Sequence, residues 1–232
     1  MIGILGAMEE EVAEFLAHAE PVERLDWRGF VFHRVRIEGR EAVLVKAGVG
    51  KVFCALVAQR LIDVFAPDAL VFTGVAGALN PAFDIGDVVV SRDCIQHDVD
   101  GRALGFPRGT LLYTEWSAFP ADPSLVRLAL AAHADGHRIR EGRILTGDQF
   151  MNRDELNHHR HLFEELNGDA VEMEGGALAQ VAAVNRLPYV VVRTLSDRAD
   201  GNAVHDFTRF LPEVARNSFA VVRAILAGRP PG

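Results

Sequence analysis

Two glutamates stand close together in the stretch DAVEMEGGALAQVAA, residues 169–183, which is otherwise mostly apolar or small. Burying an unpaired carboxylate costs roughly several kcal/mol, so Glu172 and Glu174 need a reason to be there. If AVEME is an extended strand, side chains alternate with a period of two and both glutamates point to one face. Met173 then points to the other face, or lines the same pocket if the strand twists. The pattern indicates two carboxylates directed at one site.

A second polar group follows the valine-rich segment YVVVRTLSD, residues 189–197. Arg193 falls within the predicted strand and must be paired if it is buried. Asp197 comes at the end of the strand, where ligands bind in open α/β sheets. Ser196 and Asp197 could instead cap a helix, but the residues RADGNAV that follow do not begin one. We therefore favour a functional role for this group.

Three consecutive acids, Glu9 to Glu11, follow the first predicted strand. Acidic residues in the first turn of a helix complement its dipole, so a structural role is the more common one for any of the three. Glu11 is at the right distance to turn inward and is the candidate. With Asp197 and the two glutamates above, it would form an acidic pocket that has Arg193 as its cation. An ion-pair network on Arg193 alone could not use all four acids.

Two glycine-containing segments also end predicted strands: TGVAGAL at 73–79 and TGDQF at 146–150. Gly74 and Gly77 allow the backbone to approach a ligand closely, and free N–H groups there could hold a polar oxygen. Phe150 could stack on a flat ring. Tight turns without a ligand, and an aromatic residue that belongs to the core, are the alternative interpretations.

The overall composition narrows the classes of function. The chain has 232 residues, 49% of them hydrophobic, and a formal net charge of −8, which is typical of a globular protein and unfavourable for nucleic-acid binding. No apolar run approaches the roughly 18 residues that span a bilayer. Cys54 and Cys94 cannot form a disulfide framework, and the N-terminus lacks the basic segment of a signal peptide. We expect a cytoplasmic protein whose partner is a small molecule.

Predicted strands and helices alternate along the chain. Strands that are apolar on both faces, separated by amphipathic helices, predict an α/β fold with a mixed, mostly parallel central sheet flanked by helices. An antiparallel hairpin is predicted over 30–37 and 41–48. No linker divides the chain, so one domain is expected over 1–232, with a flexible tail at 227–232. The predicted helices lie at 7–19, 51–66, 123–134, 175–183 and 210–227.

Five motifs occur in the order in which a known family has them: GILGAMEEEV at 3–12, AGVGKV at 47–52, TGVAG at 73–77, VEME at 171–174 and RTLSD at 193–197. By these motifs the sequence resembles the 5′-methylthioadenosine/S-adenosylhomocysteine nucleosidases of the nucleoside phosphorylase superfamily. The resemblance runs over almost the whole chain. It implies a nucleoside phosphorylase-like fold and hydrolysis of the N-glycosidic bond of these two nucleosides, which releases adenine. It implies neither a metal nor a cofactor.

The resemblance also implies roles for the residues of the reaction. Asp197, positioned by Ser196, is expected to be the general acid that protonates N7 of adenine. Glu11 is expected to activate the attacking water, with Arg193 ordering that site. Cleavage leaves negative charge on the base and positive charge on the ribose, which an acid at the purine and carboxylates near the sugar would stabilise. To hold a proton near neutral pH, Asp197 needs a raised pKa, which burial would provide.

Further residues are expected to bind the substrate. Glu174 resembles the residue that holds the ribose hydroxyls, and Met173 the residue that packs against the sugar. Phe150 is expected to stack on the adenine, whose edge would contact the backbone of Met151. The same site is expected to include Glu172, Val75, Gly77 and Phe207.

Members of this family are homodimers in which a loop of the partner subunit closes the pocket for the 5′-substituent. The corresponding loop here is HDVDGRALGFPRG at 97–109, with Leu104 as the expected apolar contributor. Val75 replaces a serine that is usual in the family. The loop also carries polar or flexible residues where the family is more apolar, which bears on the preferred 5′-substituent. These are Gly101, Arg102 and Arg108.

Several alternatives stay open. The substrate could be aminodeoxyfutalosine or 5′-deoxyadenosine, and the protein could be a purine nucleoside phosphorylase or a purine-binding module that has lost catalysis. A phosphorylase needs several cationic or N–H donors for phosphate, whereas Arg193 is the one cation predicted here among several acids. The segment NHHRH at 157–161 places His158 and His161 on one helix face. We interpret it as a solvated face because no further ligand completes a metal site.

Overall fold

The computed structural model describes residues 1–134, 136–197 and 203–228, without the side chains of 153–154 and 203–214. The strands are β1 (Ile2–Gly6), β2 (Glu20–Trp27), β3 (Phe30–Ile37), β4 (Arg40–Lys46), β5 (Ala69–Ala78), β6 (Val88–Gln96), β7 (Phe119–Pro120), β8 (Ile139–Thr146), β9 (Ala170–Glu172) and β10 (Tyr189–Asp197). The helices are α1 (Glu9–Ala17), α2 (Lys51–Phe65), α3 (Pro123–Leu130), α4 (Arg153–His158), α5 (His161–Glu164), α6 (Gly175–Asn185) and α7 (Ala203–Gly228), with a 3₁₀ turn at Arg102–Leu104.

The strands form one mixed sheet in the order β10-β6-β8-β9-β5-β1-β4-β3-β2, with β7 paired to β6. β10 also pairs with β5, so β5, β10, β6, β8 and β9 close into a ring. β1 lies parallel to both β4 and β5, and β5 lies parallel to β10. The expected α/β fold with a mixed central sheet is therefore confirmed, and the carboxyl ends of β1, β4, β5 and β10 lie at one edge.

Helices cover both faces of the sheet, which explains why its central strands are apolar throughout. β1 and β10 are buried along their whole length. On one face α2 packs against α6, and on the other α7 packs against α1, α3 and β10. Gly3 of β1 lets α2 approach closely, because a Cβ there would come within 2.7 Å of Leu61 Cδ2.

The predicted hairpin is confirmed as β3 and β4, which pair antiparallel. Its connection has positive φ angles at Glu38 (49°) and Gly39 (75°), the backbone combination that a two-residue hairpin turn requires. β2 extends the hairpin at the edge of the sheet and was not predicted. Half of the residues in its sequence EPVERLDW are charged and most are exposed, so it lacks the apolar alternation that indicates a strand.

Three further expectations need correction. β9 contains three residues only, so Glu174 follows the strand and stands at the N-cap of α6. Helix α7 continues through Gly228, so the predicted tail does not begin at 227, and residues 229–232 lie outside the described part of the chain. His158 and His161 do not share a helix, because α4 ends at the first and α5 begins at the second. Within the described ranges, no helix combines the length and hydropathy needed to cross a bilayer.

Candidate active site

A cavity of about 260 Å³ opens at the edge where the parallel strands end. Asp197 and Glu174 both line it, although 23 positions separate them in the sequence. Most of the side chains singled out from the sequence converge here, because strand ends that are distant along the chain are neighbours in the sheet. The lining residues are Ala7, Met8, Glu11, Val49, Val75, Ala76, Gly77, Gln149, Phe150, Met151, Val171, Glu172, Met173, Glu174, Ser196 and Asp197.

Glu11 is the acid of the first turn of α1 that turns inward, whereas Glu9 and Glu10 are exposed. One carboxylate oxygen accepts hydrogen bonds from the backbone N–H groups of Ala7 (2.6 Å) and Met8 (3.0 Å), and the other from Val75 N–H (3.1 Å). The carboxylate therefore joins the end of β1 to the end of β5. Burial raises the pKa of Glu11, in opposition to the nearby Arg193 cation and to these three N–H donors.

Arg193 lies beneath the cavity with only 1% of its side chain exposed. Its guanidinium forms an ion pair with Glu172, reaches Glu174 Oε2 at 3.4 Å, and lies 4.5 Å from the centre of the Phe72 ring. A Cβ at position 74 would come within 2.2 Å of Arg193 Nη1 and 2.4 Å of Glu11 Oε1. Gly74 is thus required so that the cation and the carboxylate can close over β5.

The two glutamates of VEME have different surroundings. Glu172 borders the cavity, but its oxygens also accept hydrogen bonds from Thr146 Oγ1, Glu174 N–H (3.1 Å) and Gly175 N–H (2.7 Å). With four protein donors, including Arg193, it is better suited to holding the cation than to binding a ligand. The sequence pattern predicted that both glutamates bind the substrate. It could not show that Glu172 has partners in β8 and α6, because these elements are distant along the chain.

Glu174 has fewer protein donors than Glu172, so its carboxylate is better able to interact with a ligand in the cavity. Its Oε1 accepts a hydrogen bond from Gly50 N–H at 2.8 Å, and Oε2 faces Arg193. Burial and the neighbouring Glu172 raise the pKa of Glu174 to about 7, while Arg193 opposes the shift. Met173, between the two glutamates, lines the cavity, which selects the second of the two orientations considered for it.

Ser196 and Asp197 are consecutive, yet both line the cavity. The pairing of β10 with β5 is irregular between Leu195 and Asp197, and such a bulge redirects side chains that would otherwise alternate. Ser196 Oγ donates a hydrogen bond to Asp197 Oδ2 at 2.8 Å. Both side chains are almost fully buried, with 1% and 3% of their surface exposed. The serine therefore fixes the orientation of a carboxyl group that faces the cavity.

The opposite wall comes from the loop after β8. Phe150 and Met151 both line the cavity, and Phe150 is 44% exposed, so part of its side chain is accessible to a ligand. Sequence reasoning missed Gln149 of this loop, together with Met8 and Val49. The rule that ligands bind beyond strand ends would have found Met8 and Val49, which follow β1 and β4.

No residue of the segment 97–109 is among the residues that line the cavity of its own subunit. Leu104 is 62% exposed on the 3₁₀ turn. The loop arginines are paired: Arg102 with Asp100 at 2.8 Å, and Arg108 with Asp100 at 3.2 Å and Glu165 at 3.3 Å. The positive charge of the loop is therefore neutralised by Asp100 within it and by Glu165, which follows α5. Phe207 belongs to α7, and its side chain lies outside the part that the structure describes.

The segment NHHRH is a solvated face only in part, because His158 is exposed whereas His159 and His161 are partly buried. His159 and His161 pack around the buried His97, with ring centroids 6.4 and 5.8 Å from the centroid of His97. Burial lowers the pKa of His97 to about 4, so this histidine is uncharged near neutral pH. Over the described ranges of the chain, no group of His, Cys, Asp or Glu is arranged to hold a metal ion.

Comparison with known proteins agrees with this geometry. The family model of the Phosphorylase superfamily matches residues 1–227. A 5′-methylthioadenosine/S-adenosylhomocysteine nucleosidase from Geobacillus kaustophilus is 40% identical over 227 residues, covering 97% of this chain and 95% of the relative. One from Tolumonas auensis is 37% identical and covers 97% and 98%. This chain belongs to the 5′-methylthioadenosine/S-adenosylhomocysteine nucleosidase family.

Solved structures of the nucleosidase family have the same fold. The nucleosidase from Colwellia psychrerythraea, in complex with adenine, has a TM-score of 0.92 and 35% identity, covering 100% of this chain and 97% of that one. The Neisseria meningitidis nucleosidase, in complex with methylthio-immucillin-A, has a TM-score of 0.92 and 31% identity, covering 98% and 99%. A futalosine hydrolase from Helicobacter pylori has a TM-score of 0.90 and 32% identity, covering 98% and 97%.

The buried carboxylate of Glu174 gives a testable pH dependence for this nucleosidase. Its pKa is raised from 4.5 in the unfolded chain to about 7, so it stabilises the fold fully below pH 4.5 and loses that contribution as the pH rises through 7. We expect the free energy of unfolding of the wild type to fall by on the order of 3 kcal/mol relative to Glu174→Gln between these pH values.

Urea denaturation of both proteins at pH 5 and pH 7.5 measures this difference. Glu10→Gln removes an exposed carboxylate from the same region and should track the wild type. A constant offset between wild type and Glu174→Gln at both pH values would show that Glu174 is ionised throughout.

Proposed function

We propose that this protein hydrolyses the N-glycosidic bond of 5′-methylthioadenosine and S-adenosylhomocysteine and releases adenine. The observation that carries the proposal is the single cavity lined by Asp197, Glu11 and Glu174, with Phe150 opposite them. A nucleoside placed there has its base between Phe150 and Asp197, and its ribose over Glu174 and Met173. The names of the relatives support the same activity.

Asp197 is the proposed general acid. Departure of adenine requires a proton at N7, and a buried carboxyl group held by Ser196 is suited to deliver it. Positive charge develops on the ribose at the same time, and carboxylates near the sugar stabilise it. Glu174 is the nearest cavity-facing candidate for this role. The edge of adenine would contact the backbone of Met151.

Glu11 is the proposed base for the attacking water. Backbone N–H groups from β1 and β5 hold its carboxylate in one orientation, so its free lone pairs face a fixed direction. Burial raises its pKa toward the neutral range in which a general base is most effective. The positive charge of Arg193 offsets the negative charge of Glu11 at the proposed water site, although Arg193 does not line the cavity.

The charges favour hydrolysis over phosphorolysis. A phosphate dianion needs several cationic or N–H donors. The described lining of the cavity contains no lysine or arginine, and Arg193 beneath it is already paired with Glu172 and Glu174. An incoming phosphate would meet the carboxylates of Glu11, Glu172 and Glu174, whereas neutral water meets no such repulsion. A purine nucleoside phosphorylase is therefore disfavoured.

The 5′-substituent would lie toward Met8 and Val49, which are both apolar. Because Arg102 and Arg108 are occupied by Asp100 and Glu165, the loop offers no unpaired cation for a carboxylate on the substituent. This favours the methylthio group. The similarity to a futalosine hydrolase keeps aminodeoxyfutalosine and 5′-deoxyadenosine as alternatives.

A homodimer in the cytoplasm is part of the proposal. Apolar side chains are exposed along α2 and α6, among them Val52 (79%) and Val184 (59%), and a second copy of the chain would cover them. Leu104, absent from the cavity of its own subunit, would then close the pocket of the partner. Both cysteines, Cys54 and Cys94, are free and buried, which suits a reducing compartment.

Adenine release from a substrate panel tests the reaction. Methylthioadenosine, adenosylhomocysteine, aminodeoxyfutalosine, 5′-deoxyadenosine and inosine should be assayed with and without phosphate, and methylthioadenosine should be hydrolysed equally in both. Asp197→Asn cannot protonate N7, so its kcat should fall by about 10²–10⁴-fold. Glu10→Gln serves as the control. Activity that depends on phosphate, or full activity of Asp197→Asn, would contradict the mechanism.

Mixed dimers test the contribution of Leu104. We expect Asp197→Asn and Leu104→Arg each to have low activity with methylthioadenosine. When the two are co-expressed, one site of the heterodimer carries both defects and the other carries neither, so about half of the wild-type activity per heterodimer should return. If Leu104 served its own subunit, each site would keep one defect and activity would stay low. Homodimers of each variant, treated in the same way, are the controls.

A further inference from the structure

Three charged residues outside the cavity meet where α2 begins. Lys51 Nζ contacts both carboxylate oxygens of Asp98, at 2.7 and 2.8 Å, and lies 3.7 Å from Asp148 Oδ2. Asp98 follows β6 and Asp148 follows β8, so the three residues join two strand ends and one helix. Lys51 is only 17% exposed, and its ammonium group holds the pKa of Asp98 below its usual value.

The N-terminus of α2 depends on carboxylates from elsewhere in the chain. Its N-cap is Gly50, which has no side chain with which to cap the helix. Gly50 N–H donates to Glu174 Oε1 at 2.8 Å, and Lys51 N–H donates to Asp148 Oδ1 at 3.0 Å. Two adjacent backbone amides thus have carboxylate acceptors. One is Glu174, which is proposed to bind the ribose, and the other is Asp148, which lies at the start of the loop proposed to face the purine.

Asp148 also fixes the start of the loop that follows β8 and contains Phe150. Its own N–H donates to Asp98 Oδ2 at 3.1 Å, so Asp148 is held from both its backbone and its side chain. The next three residues, 149–151, all line the cavity. Phe150 is 44% exposed and is not fixed by burial in the core. The contacts of Asp148 therefore hold the start of the loop that carries Phe150.

We propose that Lys51, Asp98 and Asp148 form an ionic clamp whose role is to position the Phe150 loop for the purine. They are positioning residues, because none of them lines the cavity. The inference rests on the proposed function in one respect, which is that a purine binds against Phe150. An exposed ion pair would contribute little, and the Asp148 side chain is 53% exposed, but Lys51 and Asp98 are only 17% and 32% exposed. The clamp also combines its charges with backbone hydrogen bonds.

The experiment compares Asp148→Ala, Asp148→Asn and Lys51→Met with the wild type. Each protein is assayed for kcat and KM with methylthioadenosine, for its melting temperature, and for the Kd of adenine alone. Asp122→Ala is the matched control. Asp122 caps α3 by accepting from Ser124 N–H (2.9 Å) and Leu125 N–H (3.0 Å), so its removal also costs a helix cap, but away from the cavity.

We expect Asp148→Ala and Lys51→Met to raise KM and the adenine Kd together by about 10-fold, with kcat changed by no more than about threefold. Asp148→Asn keeps an oxygen that can accept from Lys51 N–H and should restore most of the affinity. Asp122→Ala should lower the melting temperature with KM unchanged. The inference would be overturned if the clamp variants lose stability, as this control does, but keep the wild-type KM and adenine Kd.

The adenine arm separates this inference from the proposed function. If the wild type binds adenine but does not hydrolyse methylthioadenosine, the proposed function fails, while the adenine Kd of the variants still decides on the clamp. If the wild type hydrolyses methylthioadenosine and the clamp variants bind adenine normally, the clamp fails and the function stands.

Discussion

The buried guanidinium of Arg193 is the constraint on which the rest of the site depends. A permanent cation with 1% exposure is tolerated only if carboxylates and hydrogen bonds compensate for its lost hydration. Glu172 and Glu174 supply this compensation from the end of β9, which pairs with β5 and β8, and from the residue that caps α6. Gly74 leaves the space in which Arg193 and Glu11 approach each other. A single buried charge therefore links residues from β10 and β9, the N-cap of α6 and the close approach of Glu11 across β5.

The same arrangement divides the acids into two groups with different chemistry. Glu172 is saturated with donors and stabilises the cation, whereas Glu11, Glu174 and Asp197 face the cavity from three different strand ends. Burial raises the pKa values of Glu11 and Glu174, so both are poised to exchange protons nearer to neutral pH than free carboxylates are. A cavity with these acids, and with no lysine or arginine among its described lining residues, suits a substrate that becomes positive at its sugar and accepts a proton at its base.

Much of this could be predicted from the sequence because it follows strand periodicity. Buried strands ending in polar residues placed Glu11, Arg193 and Asp197 near one another, and the hairpin was evident from alternation. The charged strand β2 was missed because an exposed edge strand carries no apolar pattern. The role of Glu172, the pairing of the loop arginines and the clustering of His97 with its neighbours also escaped. Each depends on side-chain partners from distant elements, which no local pattern encodes.

The central claim is that one nucleoside lies across this cavity with its base at Asp197 and its ribose at Glu174. The most direct test is a crystal structure of the protein with a non-hydrolysable analogue of methylthioadenosine. We predict that purine N7 lies about 2.6–3.2 Å from an Asp197 carboxyl oxygen, with the ribose hydroxyls on Glu174 and the ring against Phe150. An analogue bound in the reverse orientation, or outside the cavity, would contradict the account.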